Sequence, residues 1–154
     1  MREILFRGQT RRYGEKVRIG DGAKMPSRWV YGGVLQGVGS HSIIYGGENV
    51  NDPGDGLDKW CVHTDTLGQF TGLTDKNGKK IFEGDIGRYK QTDGATQNGK
   101  PITCIGKVIY NAKTASFAVE SKDKTGCKYF DYFPIKDFEV IGNIHDNPEL
   151  FEVE

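Results

Sequence analysis

Three carboxylates stand close together in the middle of the chain, at Asp75, Glu83 and Asp85. Carboxylate oxygens bind divalent metals and act as general acids and bases, so this group suggests metal-assisted hydrolysis. The same residues suit turns, because an Asp after Gly84 accepts hydrogen bonds from nearby backbone N–H groups. We favour the turn, expect Gly84→Val and Asp85→Ala to cost more stability than Asp75→Ala, and keep a metal-dependent hydrolase or nuclease as an alternative.

Turn-forming residues surround these carboxylates. Asn77-Gly78 is the strongest short signal for a β-hairpin, and Gly84 is expected to need a positive φ that a β-branched residue reaches only with strain. Gly142 and Asn143 stand as a similar pair near the carboxyl terminus. We therefore predict no catalytic, cofactor-binding or metal-binding residue, and six structural turn residues: Asn77, Gly78, Gly84, Asp85, Gly142 and Asn143.

A thiol and an imidazole, Cys61 and His63, lie two residues apart on a predicted strand and therefore on the same strand face. Cys104 or Cys127 could complete a tetrahedral zinc site with them. No CxxC or HxxxH spacing accompanies the pair, so we favour reduced core cysteines beside a surface histidine. We expect no cofactor, and a metal on Cys61 and His63 stays an open alternative.

The charges balance overall, with 21 Lys and Arg against 21 Asp and Glu, but they are unevenly distributed. The carboxyl terminus is acidic, whereas the amino terminus holds six of the seven arginines: Arg2, Arg7, Arg11, Arg12, Arg18 and Arg28. This Arg-rich segment suggests nucleic-acid binding as an alternative function. Since the net charge is zero, we expect weak or no nucleic-acid binding at physiological salt.

The composition favours a folded chain built from strands. β-Branched and aromatic residues outnumber Ala, Leu and Met, and no segment keeps helical periodicity beyond two turns, which excludes a helix bundle. No apolar run approaches the roughly 18 residues that a membrane span needs, and the first residues lack a signal-peptide core. We therefore expect a cytoplasmic protein without a membrane partner.

Residues 67–154 are predicted to form a small SH3-like β-barrel. Short strands are predicted at 70–73, 80–82, 85–90, 102–110, 117–120, 128–133 and 138–144. Gly106, inside the longest of them, suggests a β-bulge or a sharp coiling of the strand. Such a series of short strands in about 80 residues is typical of a small closed barrel.

Residues 1–66 are predicted to form an appended strand-and-loop region. Short strands are expected at 3–7, 29–31 and 59–63, and the first of them is expected to pair with the barrel. The glycine-rich stretch 32–56 is interrupted by turn residues and is expected to be a mobile loop.

The segment QFTGLTDKNGKKIFEGDI, at residues 69–86, resembles the signature of the YopX family of small phage and prophage proteins. Residues 1–7 resemble the first strand of that family, and residues 140–150 resemble its carboxyl-terminal ending. Gly8-Gln9 and the glycine-rich stretch depart from the family pattern. The resemblance implies a phage-type protein of largely β structure, and it implies no reaction.

The missing catalytic motif and the family resemblance together favour a non-enzymatic binding or assembly module. The expected partner is an unknown protein or a second copy of the chain. Self-association into a homo-oligomer is expected because a strand-rich chain leaves sheet edges that need covering.

Overall fold

The computed structural model describes residues 3–10, 29–35, 39–45, 59–90, 96–97, 100–122 and 137–152. The chain divides into two compact units, Met1–Phe70 and Thr71–Glu154. Every regular element in the described residues is a strand or a short 3-10 turn, so the chain is mainly β, as its composition predicts. None of the described residues belong to a helix with the length and apolar character that a membrane crossing requires.

The first unit is an antiparallel sheet. Its strands are β1 (Phe6–Gln9), β2 (Trp29–Leu35), β3 (His41–Tyr45), β4 (Lys59–His63) and the first part of β5 (Gly68–Thr74). Their order across the sheet is β4-β3-β2-β1-β5. Exposed and buried residues alternate along β3. The buried side chains of Val30, Ile44 and Val62 form the core of this unit, with Trp60 and Leu67 packed against it.

Part of the glycine-rich stretch that we expected to be a mobile loop is strand instead. Residues 32–35 complete β2, and residues 41–45 form β3. Val34 lies opposite Ile44 in this pairing. The burial of Ile44 offsets the backbone entropy that the glycines cost. Apart from a bend at 39–40, the rest of the stretch lies outside the described residues.

A 3-10 turn, Thr64–Thr66, links β4 to β5. The hydroxyl of Thr66 accepts a hydrogen bond from the Gln9 N–H (2.8 Å) and donates one to the His63 carbonyl (2.7 Å). Thr66 and Gln9 are both buried. The hydroxyl therefore satisfies a buried donor of β1 and fixes the turn against that strand.

The second unit contains a four-stranded antiparallel sheet. Its strands, after the end of β5, are β6 (Lys80–Phe82), β7 (Asp85–Lys90), β8 (Thr96–Gln97), β9 (Lys100–Pro101), β10 (Thr103–Asn111), β11 (Ser116–Ser121) and β12 (Glu139–Asn143). The sheet has the order β11-β10-β7-β12, while β5 pairs with β6 and β8 with β9. The core of this unit contains the buried residues Ile81, Tyr89, Cys104, Val108, Val119 and Phe138.

Gly87, in the middle of β7, lets an aromatic ring pack directly on the sheet. A Cβ atom at this position would lie 2.0 Å from Cζ of Phe138. The Phe138 ring also stacks on Tyr89, with the ring centroids 6.1 Å apart. A side chain at position 87 would therefore displace the buried ring of Phe138.

The β-bulge predicted at Gly106 is wrong. Gly106 pairs in unbroken register with Gly87 of β7 and with Ser121 of β11. Its lack of a side chain serves packing, because a Cβ there would lie 2.3 Å from Cγ1 of Val119. The register shift of this sheet lies in β12 instead, between Val140 and Gly142.

The predicted closed barrel is also wrong for the described strands. They form open antiparallel sheets, and β11 and β12 lie at the two edges of the four-stranded sheet. Closure requires strand number, tilt and register to agree, and four short strands are too few. The strand predicted at 128–133 lies outside the described residues.

Candidate functional site

Asp75 lies in the hairpin between β5 and β6 and is only 6% exposed. Its Oδ1 accepts hydrogen bonds from the N–H groups of Asn77 (2.8 Å) and Lys79 (2.9 Å), and its Oδ2 accepts one from Val140 (3.1 Å). Burial acts to raise the pKa of Asp75, but these backbone donors, Val140 foremost, outweigh it and lower the pKa below 3.8. Gly78 completes the hairpin with a φ of 81°. The ionised carboxylate therefore holds the hairpin to β12.

The bend at Gly84 and Asp85 is organised in a similar way. Gly84 has a φ of 83°, and Oδ2 of the buried Asp85 accepts a hydrogen bond from the Phe82 N–H at 2.8 Å. The Gly84 N–H donates to the Val108 carbonyl, and its carbonyl accepts from the Ile144 N–H, both at 2.9 Å. The bend therefore ties the start of β7 to β10 and to the residue after β12.

Gly142 and Asn143 lie at the end of β12, where the chain turns. Oδ1 of Asn143 accepts hydrogen bonds from the N–H groups of His145 (2.9 Å) and Asp146 (3.0 Å). A Cβ at Gly142 would lie 2.6 Å from Oδ1 of Asn147. Asn143 thus shapes the turn through its own side chain, and Gly142 leaves room for the side chain of Asn147.

Two of the three carboxylates that suggested a hydrolase bind the backbone. Asp75 and Asp85 accept hydrogen bonds from main-chain N–H groups. Glu83, which lies between them in the sequence, is half-buried. In the part of the chain that the structure describes, no group of three or more His, Cys, Asp or Glu side chains is placed to hold a metal ion. Asp75 and Asp85 therefore have structural roles in the turns.

A groove of about 360 Å³ opens to solvent beside β7 and β12. It is lined by Lys76, Arg88, Tyr89, Lys90, Thr103, Asp137 and Glu139. Arg88 lies opposite Glu139 of β12, and Lys90 lies opposite Thr103 of β10. Because side chains alternate along a strand, Arg88 and Lys90 project from the same exposed face of β7.

One carboxylate oxygen in the groove serves two cations. Oε2 of Glu139 lies 2.6 Å from Nζ of Lys76 and 3.0 Å from Nη2 of Arg88. Their hydrogen bonds, that of Lys76 first, lower the pKa of Glu139 below its ordinary value. The Lys76 and Arg88 side chains remain 43% and 54% exposed. With Lys90, the lining holds three cations and two carboxylates, and it carries an excess of positive charge.

The groove could not be found from the sequence, because its residues are distant along the chain. Lys76 and Glu139 are 63 residues apart, and Arg88 and Glu139 are 51 residues apart. The segment Arg88-Tyr89-Lys90 shows the alternation of an amphipathic strand. The groove forms where β7 pairs with β12, and no local sequence pattern predicts this pairing.

Cys61 and His63 lie on β4, but the surrounding residues differ from those we expected. Cys61 is free and exposed. Of our expectation of reduced core cysteines, Cys61 is reduced but does not lie in the core, and Cys104 lies in the core but is disulfide-bonded. Cys127 lies outside the described residues. His63 lies opposite His41 of β3, and the centroids of the two rings are 4.9 Å apart.

Within the described residues, the Arg-rich amino-terminal segment is represented by Arg7 alone. Arg7 is buried, and its guanidinium carbon lies 4.7 Å from the centroid of the Trp29 ring. This geometry is a cation–π contact. Arg7 therefore packs inside the first unit and is not available to bind phosphate.

Among the comparisons with known proteins, the family match agrees with the resemblance found in the sequence. A search of curated proteins found no match. The crystal structure of protein EF1440 from Enterococcus faecalis is similar over 97% of this chain and 99% of that chain, with 24% sequence identity and a TM-score of 0.45. The family described as "YopX protein" matches residues 37–152, well over half of the 154-residue sequence. The chain therefore belongs to the YopX family.

Proposed function

We propose that the chain is a non-enzymatic binding module whose second unit binds an acidic peptide segment of a protein partner. The proposal depends on the groove, where Lys76, Arg88 and Lys90 meet on one open surface. Glu139 contacts two of these cations through a single oxygen. A carboxylate of a ligand can bind beside Glu139 or replace it, since both cations remain partly exposed and have further N–H donors.

The lining of the groove suits binding better than catalysis. Among the residues that the structure describes, the lining contains no histidine or cysteine. Its candidate nucleophile is the hydroxyl of Thr103. A nucleophile needs a base within hydrogen-bond reach. The carboxylate best placed to act as that base, Glu139, is held ionised by two cations. A group in this state is a weak proton acceptor.

The charges in the groove favour a peptide over a nucleic acid. Asp137 and Glu139 lie among the cations and would repel the closely spaced phosphates of a nucleic-acid strand. A peptide spaces its carboxylates more widely. It also brings backbone N–H groups, from which Asp137 and Glu139 can accept hydrogen bonds. The zero net charge of the whole chain also gives no long-range attraction for a polyanion.

The test is a titration of the full-length ¹⁵N-labelled chain with a synthetic peptide that alternates Glu and Ser. At low salt we expect the largest amide shifts at residues 76, 88–90, 103 and 139, with a Kd of about 10–100 µM, as exposed ion pairs are individually weak. We expect Lys90→Glu to weaken binding by at least about fivefold.

The matched control is Lys113→Glu, which changes the net charge equally at an exposed turn between β10 and β11. This variant should bind like the wild type. Equal weakening by both variants, or shifts spread evenly over the chain, would contradict the proposal. Tighter, Lys90-dependent binding of an oligothymidylate would assign the groove to nucleic acid instead.

We propose in addition that the chain is a cytoplasmic, phage-type protein that self-associates. Among the described strands, β4 ends the sheet of the first unit, and β11 and β12 end the four-stranded sheet. Sheet edges carry unpaired N–H and C=O groups, which favour pairing with another chain. Light scattering of the full chain from about 5 to 500 µM should give a mass above that of the monomer. A monomer mass throughout would contradict self-association.

A further inference from the structure

We infer that His41 and His63 form a two-histidine binding site for a divalent transition-metal ion on the outer face of the first unit's sheet. The two residues lie directly opposite each other on the neighbouring strands β3 and β4. His41 is exposed, and the side chains of β3 alternate between solvent and core. Residues paired across an antiparallel sheet project from the same face. Both imidazoles are therefore presented on the solvent side of the sheet.

The ring separation matches that of two imidazoles bound to one metal. Zinc–nitrogen bonds are about 2.0–2.1 Å long, and at N–metal–N angles near 90–110° they place the ring centroids about 4.5–5.2 Å apart. The His41 and His63 centroids are 4.9 Å apart, with 40° between the ring planes. The two side chains therefore need little movement, and little loss of rotamer freedom, to bind an ion together.

A neighbouring hydroxyl orients one of the two rings. Oγ of Ser40 lies 2.9 Å from Nδ1 of His41. When Nδ1 carries the ring proton and donates to this hydroxyl, the lone pair is on Nε2, and Nε2 is free to bind the metal. Metal-binding histidines commonly donate their second ring N–H to such a partner. Ser40 thus supports the tautomer that the site requires.

The ligand set determines which ions bind and how tightly. Imidazole suits zinc, copper and nickel, whereas magnesium and calcium prefer oxygen ligands. Cys61 lies opposite Ile43, two residue pairs along from the two histidines, and no third His, Cys, Asp or Glu joins them among the described residues. Water or a ligand from a partner would complete the coordination sphere. The ion should therefore bind reversibly.

The experiment is calorimetry of the untagged full-length chain with ZnCl₂ at pH 7.5, with MgCl₂ as the comparison ion. We expect one Zn²⁺ per chain with a Kd of about 1–50 µM, and no binding of Mg²⁺. His41→Ala and His63→Ala should each weaken zinc binding at least about tenfold.

Two control variants sharpen this test. The third histidine of the chain, His145, lies in the second unit, and His145→Ala should bind zinc like the wild type. Cys61→Ser should also bind normally, because the site uses imidazoles and not the thiol. Loss of zinc binding in either control, or its survival in both His41→Ala and His63→Ala, would overturn the inference.

Melting curves in EDTA check that the histidine variants fold. If a variant does not fold, Cu²⁺ added to the ¹⁵N-labelled wild type provides a second measurement. Paramagnetic broadening should begin at residues 40–42 and 62–64, and broadening that begins elsewhere would contradict the site.

Discussion

Asp75 and Glu139 are two carboxylates of the same unit, and the pKa of each is lowered for a different reason. Asp75 is buried, and three backbone N–H groups donate to it against the cost of burial. Glu139 is held ionised by the side chains of Lys76 and Arg88, both of which remain substantially exposed. The main chain binds one carboxylate, and exposed cationic side chains bind the other.

This difference assigns the two carboxylates to different roles, one in the stability of the fold and one in ligand binding. A backbone N–H group cannot leave its position, so the three donors cannot follow a change at Asp75, and the fold loses stability when their shared acceptor is removed. A surface cation can exchange Glu139 for water or for a ligand at little cost, because exposed ion pairs are weak. Removing Asp75 should therefore affect stability, whereas removing Glu139 should affect binding.

The largest effect is expected for Asp75→Ala. The substitution leaves the N–H groups of Asn77, Lys79 and Val140 without their acceptor. We expect a loss of about 3 kcal/mol and a drop in Tm of about 10 °C, measured by thermal unfolding followed by circular dichroism. Asp75→Asn, which keeps one acceptor oxygen, should lie between this variant and the wild type.

The expected order of Asp75→Ala and Asp85→Ala is the reverse of the one suggested by the sequence. Asp85 accepts a hydrogen bond from Phe82 within its own bend. Asp75 connects its hairpin to Val140, which is 65 residues away. If Asp85→Ala melts at a lower temperature than Asp75→Ala, the hydrogen bond from Val140 to Asp75 contributes little to the stability of the fold.

A smaller loss is expected for Gly84→Val, which tests the backbone of the same region. With a φ of 83°, a β-branched residue at this position is strained by about 1–3 kcal/mol, and Tm should fall by about 5 °C. Gly78→Ala is the control, because Gly78 has a φ of 81° and open space around it. It should lose about 1 kcal/mol. An unchanged Tm in Gly84→Val would show that the bend relaxes.

Local features of this fold could be predicted from the sequence, whereas distant pairings could not. The strands at 59–63 and 85–90 were predicted with the bounds observed, because apolar alternation and flanking turn residues define them within a few positions. The pairing of β7 with β12 joins Arg88 to Glu139 across 51 residues. No local pattern encodes such a pairing, so the groove was missed. Barrel closure was wrongly inferred for the same reason.

The pH dependence of stability should show the contribution of Asp75. Its pKa is lowered in the folded state below the ordinary 3.8, so the folded chain binds fewer protons than the unfolded chain in this range. The resulting stability is fully present above pH 3.8 and is lost as the pH falls through the lowered pKa. The difference in Tm between wild type and Asp75→Asn should therefore shrink from pH 6 to about pH 2.5. A constant difference would mean that the contribution of Asp75 is not electrostatic.

The smallest effect on stability, and the most informative effect on binding, is expected for Glu139→Gln. Lys76 and Arg88 lose their shared carboxylate but stay exposed to water, so Tm should change little. The two cations are then free of an internal competitor, and the Glu-Ser peptide should bind about two- to fivefold more tightly, with a steeper dependence on salt. Calorimetry at two salt concentrations measures both quantities. Weaker peptide binding in Glu139→Gln would mean that Glu139 holds the cations in place for the ligand, and a large fall in Tm would show that Glu139, like Asp75, has an architectural role.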